Sequence, residues 1–137
     1  MRLQLSIQTP DGIFKDEETE ELILPTRTGQ VGILINHIPL ITALDIGPML
    51  FRQKTGWASL ALIGGVALVE DNQVTIIVND AILPTLVDIN EAEKNLKEAT
   101  DYLTQVNGVK FRSKEKIKAT FSFKRARARY QIVTWKK

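Results

Sequence analysis

The sequence predicts a β-sandwich of about ten strands at residues 1–87, followed by a C-terminal α-helical hairpin at residues 88–137. Three observations lead to this fold class. Short β-branched and aliphatic runs alternate with Gly, Pro, Asn and Asp turn signals as far as residue 87, which is typical of sandwiches and barrels. From Asp88 onwards the apolar spacing becomes three and four residues, the period of a helix. The sign of the charge also changes along the chain.

The first strands are indicated by alternation and by a turn. Leu3 to Ile7 alternates apolar with polar residues, the pattern of a strand with one buried face. Thr9 to Gly12 is a turn signal, and Ile13 to Lys15 begins a second strand behind it. Glu21 to Pro25 reads as the third strand of the predicted sandwich.

The stretch from Pro25 to Pro39 is the most strongly punctuated part of the chain. Gly29 and Gly32 permit positive φ or a close backbone approach. Pro39 cannot donate a ladder hydrogen bond and favours extended geometry before it. The segment therefore predicts a strand, a tight turn, a short strand, a sharp corner and then a strand at Leu40 to Leu44.

The remaining strands follow at short intervals. They are predicted at Met49 to Arg52, Trp57 to Ile63, Val66 to Val69, Gln73 to Val78 and Ala81 to Leu83. The pair Gly64-Gly65 interrupts this series and indicates a bulge or a close crossing of backbones.

Two helices are predicted beyond the sandwich. Asp88 with Glu91 three residues later forms a capping pattern, and Asn107-Gly108 is a stop signal. A second helix is expected from about Lys110 to Ile132. We expect the two apolar stripes to pack on each other as a hairpin. The stripes are Ile89, Ala92, Leu96, Ala99, Leu103 and Val106, and Ala119, Phe123, Ala126, Tyr130 and Val133, with Ile117 and Phe121 beside the second.

Composition excludes several classes of protein. The chain has 137 residues, 44% of them hydrophobic and 25% charged, which fits one soluble globular unit. The absence of cysteine excludes a disulfide framework, a thiolate metal site and a cysteine nucleophile. We expect no secretory signal at the alternating start, and the ten apolar residues of Leu60 to Val69 are fewer than the roughly 20 that cross a membrane. Any membrane association is therefore expected through a partner.

The charge is divided unequally along the chain. Residues 1–107 contain seven Lys or Arg and fifteen Asp or Glu, a net charge of −8. Residues 108–137 contain eleven Lys or Arg and one acid, a net charge of +10. Such asymmetry indicates a basic appendage with an acidic or anionic partner.

No constellation of residues indicates catalysis. His37 is the only histidine, and neither a nucleophile elbow nor a phosphate-binding glycine loop occurs. The acids of Asp16 to Glu21 lack the spaced ligands of a calcium loop and read as a solvated turn. We therefore predict a non-enzyme with no cofactor and no metal.

The basic run from Lys124 to Arg129 allows three interpretations. Arginines bind phosphate well, so a small basic RNA-binding module is one alternative. Docking of an adaptor on an acidic protein surface is the second, and a solvated basic face is the third. No aromatic platform for bases accompanies the run, which favours a protein partner over nucleic acid.

Taken together, these features resemble the ε subunits of F-type ATP synthases, especially their plastid and cyanobacterial branch. The matching segments span nearly the whole chain. They are Leu3-x-Leu5-x-Ile7-x-Thr9-Pro10, Gly29-x-x-Gly32-Ile33-Leu34-x-Asn36-His37-x-Pro39, Gly64-Gly65, Val78-Asn79-Asp80-Ala81 and Lys124-Arg125-Ala126-x-Ala128-Arg129.

The resemblance implies a non-catalytic subunit of the rotating central stalk that couples the catalytic head to the c ring. It implies that the sandwich contacts the γ subunit and the c ring, while the hairpin damps ATP hydrolysis against acidic residues of the β subunit. The implied interface residues are Thr28, Gly29 and Gln30 towards the c ring, His37, Pro39, Leu40 and Thr42 towards γ, and Gly32 between them. The implied regulatory face is Lys124, Arg125, Arg127 and Arg129. The implied location is peripheral, on the stromal side of the plastid thylakoid membrane, with the cytoplasmic face of a bacterial or cyanobacterial membrane as the alternative.

Overall fold

Eight strands form the N-terminal part of the molecule, whose computed structural model describes residues 2–108 and 113–135. They are β1 Leu3–Thr9, β2 Gly12–Thr19, β3 Glu21–Thr26, β4 Gly29–Leu34, β5 Leu40–Leu44, β6 Gly47–Gln53, β7 Gly56–Glu70 and β8 Gln73–Ile82. The strand order β2-β1-β8-β7-β5-β3-β4 is continuous, and β6 closes the structure by pairing with both β3 and β7. The predicted β-sandwich is therefore confirmed.

The strand number is eight instead of about ten because two strands are longer than expected. β7 runs through Gly64-Gly65 without ending; its first part pairs with β6 and its second part with β5. β8 likewise continues past Asn79 until Ile82 lies opposite Ala61. Both Gly64 and Gly65 have positive φ, 65° and 144°, so the strand bends there and serves both layers.

Gly65 is a position where only glycine fits. A Cβ built on it would lie 2.1 Å from the carbonyl oxygen of Ile77 and 2.8 Å from the Cα of Val78. Of the two alternatives predicted from the glycine pair, a bulge or a close backbone crossing, the structure has the close approach, because no side chain can be placed at such distances.

The sandwich core lies between the layers. It is built from the alternating residues of nearly every strand, including Leu3, Leu5, Ile7, Leu22, Leu24, Ile33, Met49, Leu60, Leu62 and Ile76, all with 0% exposure. The alternation read from β1 thus gives one fully buried face, as half-buried strands require.

Two helices follow a 3-10 turn at Pro84–Leu86: α1 is Ile89–Gly108 and α2 is Ser113–Thr134. The backbone N–H of Asn90 donates to Oδ1 of Asp88 at 2.8 Å, which confirms Asp88 as the residue that caps α1. The expected start of the second helix near Lys110 lies outside the described residues. Neither described helix is long and apolar enough to span a bilayer.

The second helix packs on two sides, which the stripe pattern did not predict. α1 and α2 contact each other extensively, and Ala92, Val106 and Ala119 are buried. However, Ala128 and Ile132 of α2 are also buried, in a second cluster with Ala61 and Val87. The α2 helix therefore lies between α1 and the sandwich. Ile89, predicted to belong to the first stripe, is 47% exposed.

Candidate partner-binding surfaces

The turn between β3 and β4 presents Thr28, Gly29 and Gln30 to solvent. Gly29 has φ of 125°, a conformation that other residues rarely adopt, and the Thr26 hydroxyl donates to its carbonyl oxygen. The turn is therefore held in shape from within, and its three tip residues are available for a partner.

Gly32 has a different role from Gly29. It lies within β4 opposite Ile23, its φ is not positive, and a Cβ added there would meet no atom within 4 Å. The sequence allowed a positive φ at both glycines, and the structure has one at Gly29 and none at Gly32. Gly32 is exposed and leaves the outside of β4 flat.

The corner after β4 is compact. The backbone N–H of His37 donates to the carbonyl oxygen of Leu34 at 3.1 Å, and Asn36 has φ of 67°. The Nδ1 atom of His37 lies 2.6 Å from the carbonyl oxygen of Ile38. The half-buried imidazole therefore folds against its own corner, while Ile38 is 74% exposed and Pro39 is also exposed.

Strand β5 presents different residues on its two faces. Leu40 packs against the sandwich core, and Thr42 is half-buried with its hydroxyl 3.4 Å from the carbonyl oxygen of Ala43. The outward residue is Ile41, which is 74% exposed and lies opposite Leu68 of β7. Leu40, one of the residues predicted to contact γ, therefore faces the sandwich core and not the outer side of β5.

An apolar outer surface, missed by the sequence reasoning, covers this side of the sheet. Its members are the exposed residues Ile38, Ile41, Leu68 and Ile77. Val66 of β7 lies on the same side, between Ala43 of β5 and Ile77 of β8. A signal was present, because β5 and the second part of β7 contain apolar residues on both faces instead of alternating with polar ones. Such a pattern is typical of strands that are covered on both sides.

The two groups of predicted interface residues lie at opposite ends of β4. Gly29 begins that strand and pairs with Thr26, whereas Leu34 ends it and leads into the His37 corner. The turn end lies near Asp45, whose backbone N–H donates to the carbonyl oxygen of Pro25 at 2.9 Å. The two groups are therefore separated by the length of β4, which is six residues.

The basic residues of α2 do not form one free face. Nζ of Lys124 lies 3.1 and 3.2 Å from the two carboxylate oxygens of Asp45, and a guanidinium nitrogen of Arg125 lies 3.9 Å from Asp80. The Arg127 guanidinium stacks over the Phe123 ring at 5.2 Å. Two of the four predicted regulatory residues are therefore paired with acids of the sandwich.

Arg129 and a groove between α2 and the sandwich complete the basic region. Arg129 is half-buried, and its Nε atom is buried without a hydrogen-bond partner among the described residues. The groove is lined by Arg27, Asp45, Ile46, Ile117 and Phe121 among others. Ile117 and Phe121, predicted to lie beside the stripe, are 70% and 47% exposed.

The electrostatics of Asp45 favour its charged form. Partial burial raises the pKa of Asp45, but the backbone N–H of Ile46, the Lys124 ammonium group and the more distant Arg127 together outweigh it. The net result is a pKa below the ordinary value of an aspartate. Asp45 is thus an anion at neutral pH and forms an ion pair with Lys124.

Apolar contacts and one buried hydrogen bond hold the far end of α2. The Ser59 hydroxyl donates to the carbonyl oxygen of Ile132 at 3.2 Å in a buried position. Trp57 and Trp135 line one groove of about 380 Å³ beside this contact.

Residues 2–108 and 113–135 contain no cluster of three His, Asp or Glu side chains suited to a metal ion.

The chain is similar to ATP synthase subunits. Residues 2–84 match the family described as the β-sandwich domain of the ATP synthase delta/epsilon chain. The chain is 53% identical over 133 residues to the chloroplastic ATP synthase epsilon chain of Chlorella vulgaris, covering 97% of this chain and 96% of that relative. It is 52% identical over 133 residues to the corresponding chain of Oltmannsiellopsis viridis, covering 97% and 98%.

A solved structure has the same fold. A chain of the Euglena gracilis mitochondrial ATP synthase, from a structure of OSCP, F1 and the c-ring, superposes with a TM-score of 0.77 over 93% of this chain and 78% of that one. Its sequence is 20% identical, so the likeness concerns the fold. The matched sandwich domain and the relatives that agree over the whole length mean that this chain belongs to the plastid branch of the ATP synthase ε-chain family, as a non-catalytic accessory subunit.

Proposed function

We propose that this chain is the central-stalk subunit that links the catalytic head, through γ, to the c ring on the stromal side of the thylakoid membrane, and that its hairpin limits ATP hydrolysis. The apolar outer surface is the observation that carries the proposal. Three large apolar side chains, Ile41, Leu68 and Ile77, are 74%, 37% and 45% exposed on one side of the sheet, and Ile38 in the adjoining corner is 74% exposed. Contiguous exposed apolar area of this kind marks a protein interface.

The geometry fits γ as the occupant of this surface and the c ring as the partner of the opposite end. The apolar outer surface begins at the His37 corner, where the resemblance to the family implies γ. The β3–β4 turn with Thr28, Gly29 and Gln30 lies at the other end of β4, where the resemblance implies the c ring. A subunit with two separate contact ends can transmit torque between two partners.

We propose that the basic residues of the hairpin pair either with acidic residues of this chain or with acidic residues of the β subunit. Lys124 and Arg125 pair with Asp45 and Asp80 when α2 lies on the sandwich. An acidic surface of the β subunit is proposed to compete for the same cations after α2 leaves the sandwich. The RNA-binding alternative receives less support, because these cations already have carboxylate partners within the chain.

The docking part of the proposal is tested with a matched pair of substitutions. Ile41→Glu places a charge in the apolar outer surface, whereas Ile13→Glu places the same charge at the exposed end of the β1–β2 hairpin, where Ile13 is 67% exposed. Titration of each full-length variant against catalytic heads depleted of this chain should show at least about tenfold weaker binding for Ile41→Glu, since burying an unpaired charge in an interface is costly. Equal binding of the two variants would count against the surface.

The regulatory part is tested through the basic residues. Replacing Lys124, Arg125, Arg127 and Arg129 with alanine should raise the ATPase activity of reconstituted heads while the sandwich stays bound. The difference should shrink with added salt, because exposed charges are screened over about 8–10 Å at physiological ionic strength. Unchanged hydrolysis would contradict the proposed regulatory role. Tight, salt-sensitive RNA binding by the natural chain that the variant loses would favour the RNA-binding alternative.

A further inference from the structure

Two asparagines from different turns join beside the apolar outer surface. The backbone N–H of Asn36 donates to Oδ1 of Asn72 at 2.6 Å, and Nδ2 of Asn72 donates to Oδ1 of Asn36 at 3.2 Å. Asn36 lies in the corner after β4, and Asn72 lies in the turn between β7 and β8. The residues are 36 positions apart, so this reciprocal pair, the asparagine clamp, ties two turns that are distant in sequence.

Both asparagines have a left-handed backbone. Asn36 has φ of 67°, while Asp71 and Asn72 have φ of 50° and 61°. Two successive positive-φ residues in a two-residue hairpin loop are the geometry of a type I′ turn, which matches the twist of the flanking strands. The side chain of Asn72 therefore leaves from a turn of defined geometry, and its amide contacts Asn36 in the corner.

The clamp lies where the apolar outer surface begins. The corner contains Ile38, which is 74% exposed, and leads into β5, where Leu40 lies opposite Val69 at the end of β7 nearest the clamp. The carbonyl oxygen of Asn72 accepts from the backbone N–H of Gln4 at 2.8 Å, so the turn that holds the corner is itself anchored on β1. A corner held in this way keeps Ile38 and Ile41 in one arrangement before a partner arrives.

We propose that Asn72, through the asparagine clamp, is a positioning residue for the docking of γ on the apolar outer surface; this rests on the function proposed above. Asn72 itself is half-buried and Asn36 is exposed, and neither belongs to the sandwich core. The clamp lowers the ordering cost of the corner during association, which is the usual route by which preorganisation raises affinity. The clamp therefore acts on the affinity for γ more than on the fold of the chain.

The test uses substitutions that keep the backbone of the turn. Asn72→Gly removes the amide but permits the positive φ, whereas Asn72→Asp keeps an acceptor for the backbone N–H of Asn36. Asn90→Ala, at an exposed position at the start of α1, serves as the control. Each full-length variant is titrated against catalytic heads that contain γ and lack this chain, and amide exchange of His37 and Leu40 is followed in the free chain.

Asn72→Gly should weaken binding about five- to tenfold, the scale of one or two neutral hydrogen bonds, while its melting temperature falls by no more than about 4 °C. The amides of His37 and Leu40 should exchange faster in Asn72→Gly. Asn72→Asp should recover most of the affinity. The control should match the natural chain in both measurements.

Two results would overturn the inference. In the first, Asn72→Gly binds as tightly as the natural chain while Ile41→Glu binds poorly. This result would support the docking surface but contradict a role of the clamp in docking. A loss of affinity accompanied by faster exchange throughout the sandwich would make the clamp a general contributor to folding. Natural affinity in both Asn72→Gly and Ile41→Glu would instead contradict the docking surface and the clamp together.

Discussion

Loss of the Asp45 carboxylate should loosen the hairpin from the sandwich by a measurable amount. Asp45→Asn keeps the size of the side chain and removes the charge that faces Lys124. Two contacts of 3.1 and 3.2 Å between opposite charges become at most one hydrogen bond from the Lys124 ammonium group to a neutral amide oxygen. The apolar contacts of Ala128 and Ile132 with the sandwich are left intact.

The magnitude follows from the exposure of the pair. The Lys124 and Asp45 side chains are 33% and 29% exposed, so solvent screens the pair in part. Fully exposed pairs contribute 0–1 kcal/mol, and a partly buried pair with short contacts belongs at about 1 kcal/mol. An opening equilibrium of α2 should therefore shift about fivefold. The Arg125–Asp80 pair, at 3.9 Å and half exposed on both sides, should shift it by less than about twofold.

Hydrogen exchange of the α2 amides measures this opening directly. Exchange around Ala128 to Ile132 should be about fivefold faster in Asp45→Asn than in the natural chain at low salt. Asp101→Asn, the same change on an exposed residue of α1, is the matched control. In a double-mutant cycle, Lys124→Gln should add little to Asp45→Asn, because the two residues share one interaction.

The reasoning would be refuted if Asp45→Asn and Asp101→Asn exchanged alike, or if the two substitutions in the cycle were additive. In reconstituted heads, the Asp45→Asn variant should also inhibit ATP hydrolysis more strongly than the natural chain, because its Lys124 is free to pair with the β subunit. An increase in hydrolysis would contradict the proposed competition between internal and external acids, while leaving the ion pair itself unaffected.

Four further outcomes are expected. The pKa of Asp45 is lowered in the folded chain, so its carboxylate stabilises the docked hairpin fully above about pH 4. This stabilisation is lost as the pH falls through the lowered pKa. Between about pH 6 and 8, exchange of the α2 amides should therefore not change with pH after correction for intrinsic rates. Gly65→Ala should lower the unfolding free energy by roughly 3 kcal/mol or more, measured by denaturant titration, whereas Gly32→Ala should change it by less than about 1 kcal/mol; equal effects would contradict the close crossing. A chain of residues 1–87 should show β circular dichroism and cooperative unfolding, and a disordered product would contradict the division into two parts. His37→Ala should weaken γ binding with little effect on folding. A variant that unfolds but binds γ normally once it is stabilised would make the histidine structural.

Local patterns were sufficient to predict the two halves of this protein. Alternation along β1, the turn signal before β2 and the three- and four-residue spacing of α1 are properties of neighbouring residues, so they can be read without a partner segment. The Gly29 turn and the crossing at Gly65 were found for the same reason, since backbone demands fall on the residue itself. The number of strands was overestimated because a glycine pair that ends a strand and one that bends it look alike in sequence.

Only the tertiary structure decided which faces meet. Lys124 and Asp45 are 79 residues apart, and no local period links them. The α2 helix buries small residues towards both α1 and the sandwich, so its stripe alone did not show the second contact at Ala128. The outward position of Ile41 depends on the register of β5 against β7, and a shift of one residue would have turned it inward. Sequence therefore determined the elements and their turns, whereas long-range packing determined the surfaces, because packing depends on residues that the chain brings together only after it has folded.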